Sequence, residues 1–288
     1  MSAPVIVVGV DGSTGAAHAL RWAVGFAAAR EGTVRAVMGW DYPALAVLPA
    51  PLGMPVPPPE EMDRATKKAL RELVAPVAEA TDVEVAQVVR RGSGAHAVLA
   101  EAREHEADLV VVGTRGAGRV RSVLFGSVSR SVAAHAICPV VVVPERADLE
   151  ATGPVVVGVD GSEASLAALR WAGEVADGPI RAVHVFEYPF GPEYALPGFT
   201  WEDPEDLGRK LLEQAVARTL GDRPDVETAA VPGDPREVLA DASKEASLVV
   251  VGARGATGIE GLILGSVAVE LATRTSSPLA IVPAHRPD

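Results

Sequence analysis

An α/β fold built twice, as two tandem open parallel-sheet sandwich domains, is what this sequence predicts, and three observations carry the prediction. The chain has 288 residues, about twice the length at which ordinary domains cluster. It also repeats itself. VVGVDGS at 7–13 recurs at 156–162, LRWA at 20–23 recurs at 169–172, LVVVGTRGAG from Leu109 pairs with LVVVGARGAT from Leu248, and LFGSV from Leu124 pairs with ILGSV from Ile263. Finally, its β-branched runs are separated by stretches of helical periodicity and show no polar–apolar alternation, which marks strands covered by helices on both faces. A charged, Pro-flanked joint over residues 144–154 gives domains at residues 1–146 and 153–288.

Residues 5–10 form a short β-branched run closed by Asp11-Gly12, a strand, and residues 14–30 carry apolar residues at helical spacing. A second strand is expected over 34–38, a second helix over 60–80, a third strand over 83–89 and a third helix over 95–106. The fourth strand covers 109–112, the fourth helix 127–135 and a last short strand 140–143, and the order repeats from 155 to 282. In such sheets ligands sit beyond the carboxyl ends of the strands, where strand order reverses. An order of 3-2-1-4-5 puts that point between strands one and four, the strands followed by the Asp-Gly-Ser turns and the glycine-rich loops.

Composition narrows the function. With 48% hydrophobic and 22% charged residues the chain is globular, and 28 Gly and 23 Pro call for many tight turns. Lys plus Arg number 26 against 38 Asp plus Glu, a net charge of -12, which repels a phosphate backbone and argues against nucleic acid as a partner. The single cysteine, Cys138, excludes an intrachain disulfide and any multi-cysteine metal site. No run approaches the roughly 18 uncharged apolar residues of a membrane span, and the opening MSAPVIVVGVDG lacks a basic leader, so a cytoplasmic location is expected.

After strand four the first half reads Gly113-Thr-Arg-Gly116, nine residues, then Gly126-Ser127; the second reads Gly252-Ala-Arg-Gly255, nine residues, then Gly265-Ser266. Glycines let backbone amides approach an anion, and a helix start adds unpaired N–H groups and the positive end of its dipole. Ser127 and Ser266 add a hydroxyl. A polyphosphate suits this geometry. The other reading is that Gly113 and Gly252 simply end strands and that Ser127 and Ser266 are helix N-caps. Micromolar binding is about 8 kcal/mol, whereas a charge at a helix terminus contributes about 0.3 to 1, so a base and ribose pocket must lie beside the loop. Asp11 and Asp160 can accept from an exocyclic amine or a ribose hydroxyl there; the other reading of Asp11 is an Asx-turn or cap with Ser13. The strand-two tips, Met38 and Gly39 or His184 and Val185, could wall the base, and Gly92 and Gly233, each following strand three, either leave room for the same ligand or are plain turn glycines. No GxxxxGK[ST] occurs and no GxGxxG follows strand one, so neither a Walker-type NTPase nor a dinucleotide site is indicated.

These residues resemble the ATP-binding branch of the universal stress protein family, whose signature G-x2-G-x9-G-[ST] both halves carry in full. The resemblance spans essentially the whole chain as the tandem form familiar among actinobacteria, and implies a Rossmann-like, adenine nucleotide alpha hydrolase-like fold. It further implies ATP held by Asp11, backbone near Gly39, Gly113, Arg115, Gly116, Gly126, Ser127 and Ser129. The counterparts are Asp160, Val185, Gly252, Arg254, Gly255, Gly265 and Ser266. Any magnesium would arrive with the nucleotide's own phosphates. Family members are mostly regulators of stress survival and dormancy, acting on a protein partner the sequence does not name, and tend to pair through the last strand. That implies a homodimer or an intramolecular pseudo-dimer over residues 140–143 and 279–282. Two departures stand out: Gly39, where a valine is usual, suggests a looser adenine wall in the first half, and Ala268 opposite Ser129 removes a phosphate-side hydroxyl from the second.

Around the loops the first half carries Arg115, Arg119, Arg121 and Arg130, whereas the second sets Arg254 against Glu260 and Glu270, so the first site is expected to bind ATP more tightly. The six histidines form no HxH or HExxH pair, so no metal site is indicated. Residues 43–59 hold seven prolines and read either as a semi-rigid lid or as a passive loop. The rival function is an ATP hydrolase, slow because the first phosphate loop supplies no carboxylate as a base. A purely structural or chaperone-like protein is the third reading.

Overall fold

Short runs of valine and isoleucine, each closed by a glycine or a charged turn, set the strands. The computed structural model describes residues 3–42, 57–116, 125–188, 203–256 and 264–284. Contacts divide the chain into two units, Met1–Glu145 and Arg146–Asp288. The first contains β1 (Val5–Gly9), α1 (Thr14–Ala28), β2 (Thr33–Trp40), α2 (Pro59–Ala78), β3 (Val85–Arg91), α3 (Gly94–Glu104), β4 (Leu109–Gly113), α4 (Ser127–His135) and β5 (Val140–Val143). The second contains β6 (Val155–Gly158), α5 (Glu163–Val175), β7 (Ile180–Phe186), α6 (Pro204–Thr219), β8 (Val226–Pro232), α7 (Pro235–Ala242), β9 (Leu248–Gly252), α8 (Ser266–Arg274) and β10 (Leu279–Val282).

Within the first unit the strand order is β3-β2-β1-β4-β5, and within the second β8-β7-β6-β9-β10, the same 3-2-1-4-5 pattern. The strand pairs are parallel, with Val8 of β1 opposite Ala36 of β2 and Val111 of β4. In the second unit Val157 of β6 lies opposite Ala182 and Val250. Ile6, Val7, Val8, Val110 and Val111 are fully buried, as are Val157, Val249 and Val250. The helices seal both faces of each sheet with small and branched residues, such as Ala19, Leu20 and Ala23 of α1. No described helix is long and apolar enough to cross a membrane, and Cys138 is buried.

Boundaries differ from expectation where tertiary contacts override local pattern. The β2–β3 pairing runs on to Trp40 opposite Arg91, past the expected ends at Met38 and Val89. Charged Arg90 fits a strand there because a buried acid on α3 receives it. α1 and α3 end short of Arg30 and Glu106. In each a glutamate adopts left-handed backbone, Glu31 at φ 53 and Glu106 at φ 48. The amides of Gly32 and Ala107 then fold back onto the Ala27 and Ala102 carbonyls, closing both helices.

Candidate functional site

At the carboxyl end of β1 the chain must turn sharply into α1, and Gly12 at φ 83 makes that turn possible. Asp11 Oδ1 accepts from the Ser13 amide at 3.0 Å and from its hydroxyl at 2.6 Å. Ser13 Oγ in turn accepts from Ala16 N at 3.1 Å, capping α1. The second unit repeats this: Gly161 at φ 82, Asp160 Oδ1 bonded by the Ser162 amide and hydroxyl at 3.0 and 2.6 Å, and Ser162 capping α5. The Asx-turn reading of Asp11 is therefore realised, and Asp160 forms the same turn.

The other carboxylate oxygen faces the glycine loop. A Cβ on Gly116 would collide with Asp11 Oδ2, and one on Gly255 would stand 2.6 Å from Asp160 Oδ2. In the second unit the Ala256 amide donates to Asp160 Oδ2 at 2.8 Å. Partial burial would push the Asp160 carboxyl up, but the Ser162 hydroxyl, the Ser162 amide and the Ala256 amide outweigh it and hold the pKa below the ordinary value. The residue itself keeps solvent contact. A carboxylate has about four acceptor positions, so three such bonds leave room for a further donor.

Gly113 and Gly252 answer to packing. A Cβ on Gly113 would sit 2.8 and 2.9 Å from the Gly15 carbonyl, and one on Gly252 2.7 Å from the Ala164 carbonyl carbon. These glycines admit the first turns of α1 and α5 against the strand ends. Gly126 and Gly265 are the actual N-caps of α4 and α8, in extended backbone and with no side-chain cap. Their amides tie back to Thr114 O at 2.9 Å and Ala253 O at 2.8 Å. Ser127 and Ser266 are thus the first helical residues rather than caps, both exposed. The first main-chain bond inside α4 is Arg130 N to Gly126 O, so the amides of Ser127, Val128 and Ser129 precede the helical ladder. Arg115 and Arg254 are exposed on the loops.

Two site expectations require correction. Ser129 is 4% exposed, and its hydroxyl donates to Gly113 O at 2.5 Å, so it braces the loop from behind and is not turned to the mouth; Ala268 removes that brace, not a phosphate contact. Nor is the first unit's wall loose at Gly39. The place of its missing Cβ is taken by Ala97 Cβ, Gly92 O and Gly94 Cα, each 3.0 Å away, so the start of α3 closes the gap. In the second unit Val185 supplies the bulk at the corresponding position. His184 points elsewhere: its Nδ1 pairs with Val159 O at 2.8 Å, and its ring lies under Gly208 of α6. Arg119, Arg121, Glu260 and residues 43–56 of the proline-rich segment lie outside the described residues.

Sequence reasoning missed a buried ionic cluster behind the Gly39 wall. Glu101 of α3 is 0% exposed and takes Arg35 of β2 on one oxygen and Arg90 of β3 on the other. Arginines inside strands were the available signal. Among the described residues no group of three or more His, Cys, Asp or Glu could hold a metal ion.

Both units match a known sequence profile. That of the Universal stress protein family matches residues 4–144 and 152–283. A universal stress protein of Mycolicibacterium smegmatis is 32% identical over 301 aligned positions, covering 96% of each chain. Universal stress protein Rv1996 of Mycobacterium tuberculosis is 31% identical over 311, covering 96% of this chain and 94% of its own. The crystal structure of a universal stress protein from Archaeoglobus fulgidus superposes over 100% of both chains with a TM-score of 0.71 at 17% identity, a likeness of fold.

Proposed function

This chain belongs to the universal stress protein family over both units, and we propose that it is an ATP-binding regulator whose nucleotide occupancy is read by another protein, without efficient catalysis. One observation carries the reading: a carboxylate, a glycine loop and a helix start without a side-chain cap converge at the carboxyl ends of the central strands, twice. The phosphates would lie on the amides opening α4 and α8 and beside Arg115 and Arg254. Asp11 and Asp160, already fixed by their serines, would accept from the ribose or base. Such a device works where ATP is abundant, in the cytoplasm.

Turnover is expected to be slow. Hydrolysis needs a positioned base for water, and Asp160 is held ionised but engaged by Ser162 and Ala256. Denaturing the purified protein and identifying released small molecules tests the proposal. ATP or another adenine nucleotide supports it; a chain that arrives empty and shows no heat of binding with ATP overturns it.

A further inference from the structure

Glu101 is buried without reaching the surface, yet both its oxygens are engaged: Oε1 lies 2.7 and 2.6 Å from Arg35 Nε and Nη2, and Oε2 lies 2.6 Å from Arg90 Nε. His105 Nε2 is 3.3 Å away, and Arg90 reaches on to Glu104. One helix is thereby fastened to two strands. Ala97, one turn before Glu101 on the same helix face, is the residue packed over Gly39, and Arg90 is Gly39's neighbour in register on β3. The ion cluster and the closed wall are two ends of one contact. The second unit has no such fastening among its described residues: counting from Gly92 and Gly233, Ala242 stands where Glu101 does, and Arg181 instead meets exposed Glu227.

We propose that Glu101 is a positioning residue for base recognition in the first unit, holding the opening turn of α3 against Gly39 and so setting the base side of the site; the same turn also lies against Val128 of α4, so the phosphate side feels the change less than the base side. This rests on the nucleotide reading above. The second unit would set the same wall by the bulk of Val185.

The test uses the full chain carrying Gly265→Asp, so that only the first unit binds, with and without Glu101→Gln. ATP and inorganic tripolyphosphate are titrated separately, and amide exchange is followed over residues 93–98 without ligand. Expected are about a tenfold loss of ATP affinity, tripolyphosphate affinity unchanged within about twofold, and faster exchange at 93–98 but not in α7. Should Glu101→Gln fail to fold, Arg90→Gln leaves Arg35 on the acid and should give the same split at smaller size. Parallel loss of both ligands, or unchanged exchange at 93–98, overturns the role. A parent that binds neither ligand sinks the nucleotide reading and base recognition with it; faster exchange confined to 93–98 would then still show the hold on α3, so the two failures are told apart.

Discussion

The two units build the same mouth and anchor its walls differently. Both use an aspartate–glycine–serine turn, a glycine admitting a helix at the strand end, a second glycine beneath the aspartate, and a glycine opening the last helix. Most of these positions answer to backbone geometry or close approach: Gly12 and Gly161 hold positive φ, and Gly113, Gly116, Gly252 and Gly255 have no room for a Cβ. The helix after the third strand has freer choice. In the first unit a buried Glu101 fastens α3; in the second, Asp234 caps α7 while gripping Arg236. The halves thus agree where the main chain dictates and diverge where one side-chain solution can replace another.

The largest effect should come from erasing the shared part. At Gly126 and Gly265 the backbone suits any residue, and aspartate is a good N-cap. Gly126→Asp and Gly265→Asp should therefore fold while placing a negative charge where a phosphate would lie. Each should remove one class of sites, lowering affinity about 100-fold or more, or about 3 kcal/mol. Calorimetric titration of each single variant reads this, and unchanged stoichiometry would break the comparison.

Stability changes sharpen it next. Gly113→Ala and Gly252→Ala drive a methyl into backbone, so each should cost about 1–3 kcal/mol, and similarly in both units. Glu101→Gln should cost a similar amount in the first unit alone. Arg35 and Arg90 keep 25% and 28% side-chain exposure and can rehydrate, which holds the loss below that of a fully enclosed pair. Denaturant unfolding of the full chain, followed by probes in each unit, checks both.

How much of this was legible follows from where partners lie along the chain. The strand runs, the 3-2-1-4-5 order and the glycine spacing are local or repeated signals, and the structure contains them. Ser129 was misread because helical position does not reveal which way a hydroxyl turns, and here it turns back to Gly113. Gly39 was misread because a missing Cβ looks like space until the packing of α3 is known. Glu101 was invisible because Arg35 and Arg90 are brought to it only by the sheet.

A smaller contrast concerns salt. Of the charges around the loops, the described ones are Arg115 and Arg130 in the first unit and Arg254 and Glu270 in the second, with Glu270 also paired to Arg274. The first site should hold ATP a few-fold more tightly at low salt and lose more affinity between low and physiological ionic strength. Titrations at two salt concentrations on the two single-site variants decide it, and a steeper slope in the second unit would reverse the assignment.

The smallest effect separates the caps by pH. Asp234 caps α7 through Arg236 N at 2.8 Å, and the Arg236 guanidinium holds its carboxyl down to about 2. A depressed carboxyl stabilises the fold above its unfolded pKa, near 3.8, and that contribution disappears as pH falls from there toward about 2. α3 is capped by the neutral hydroxyl of Ser93, which accepts from His96 N at 3.3 Å and does not titrate in that range. Amide exchange in the first turn of α7 should therefore quicken between about pH 4 and 2 relative to the first turn of α3. Asp234→Ser should remove that difference, because it gives the second unit the first unit's cap; a difference that survives the substitution would place the acid sensitivity elsewhere in α7.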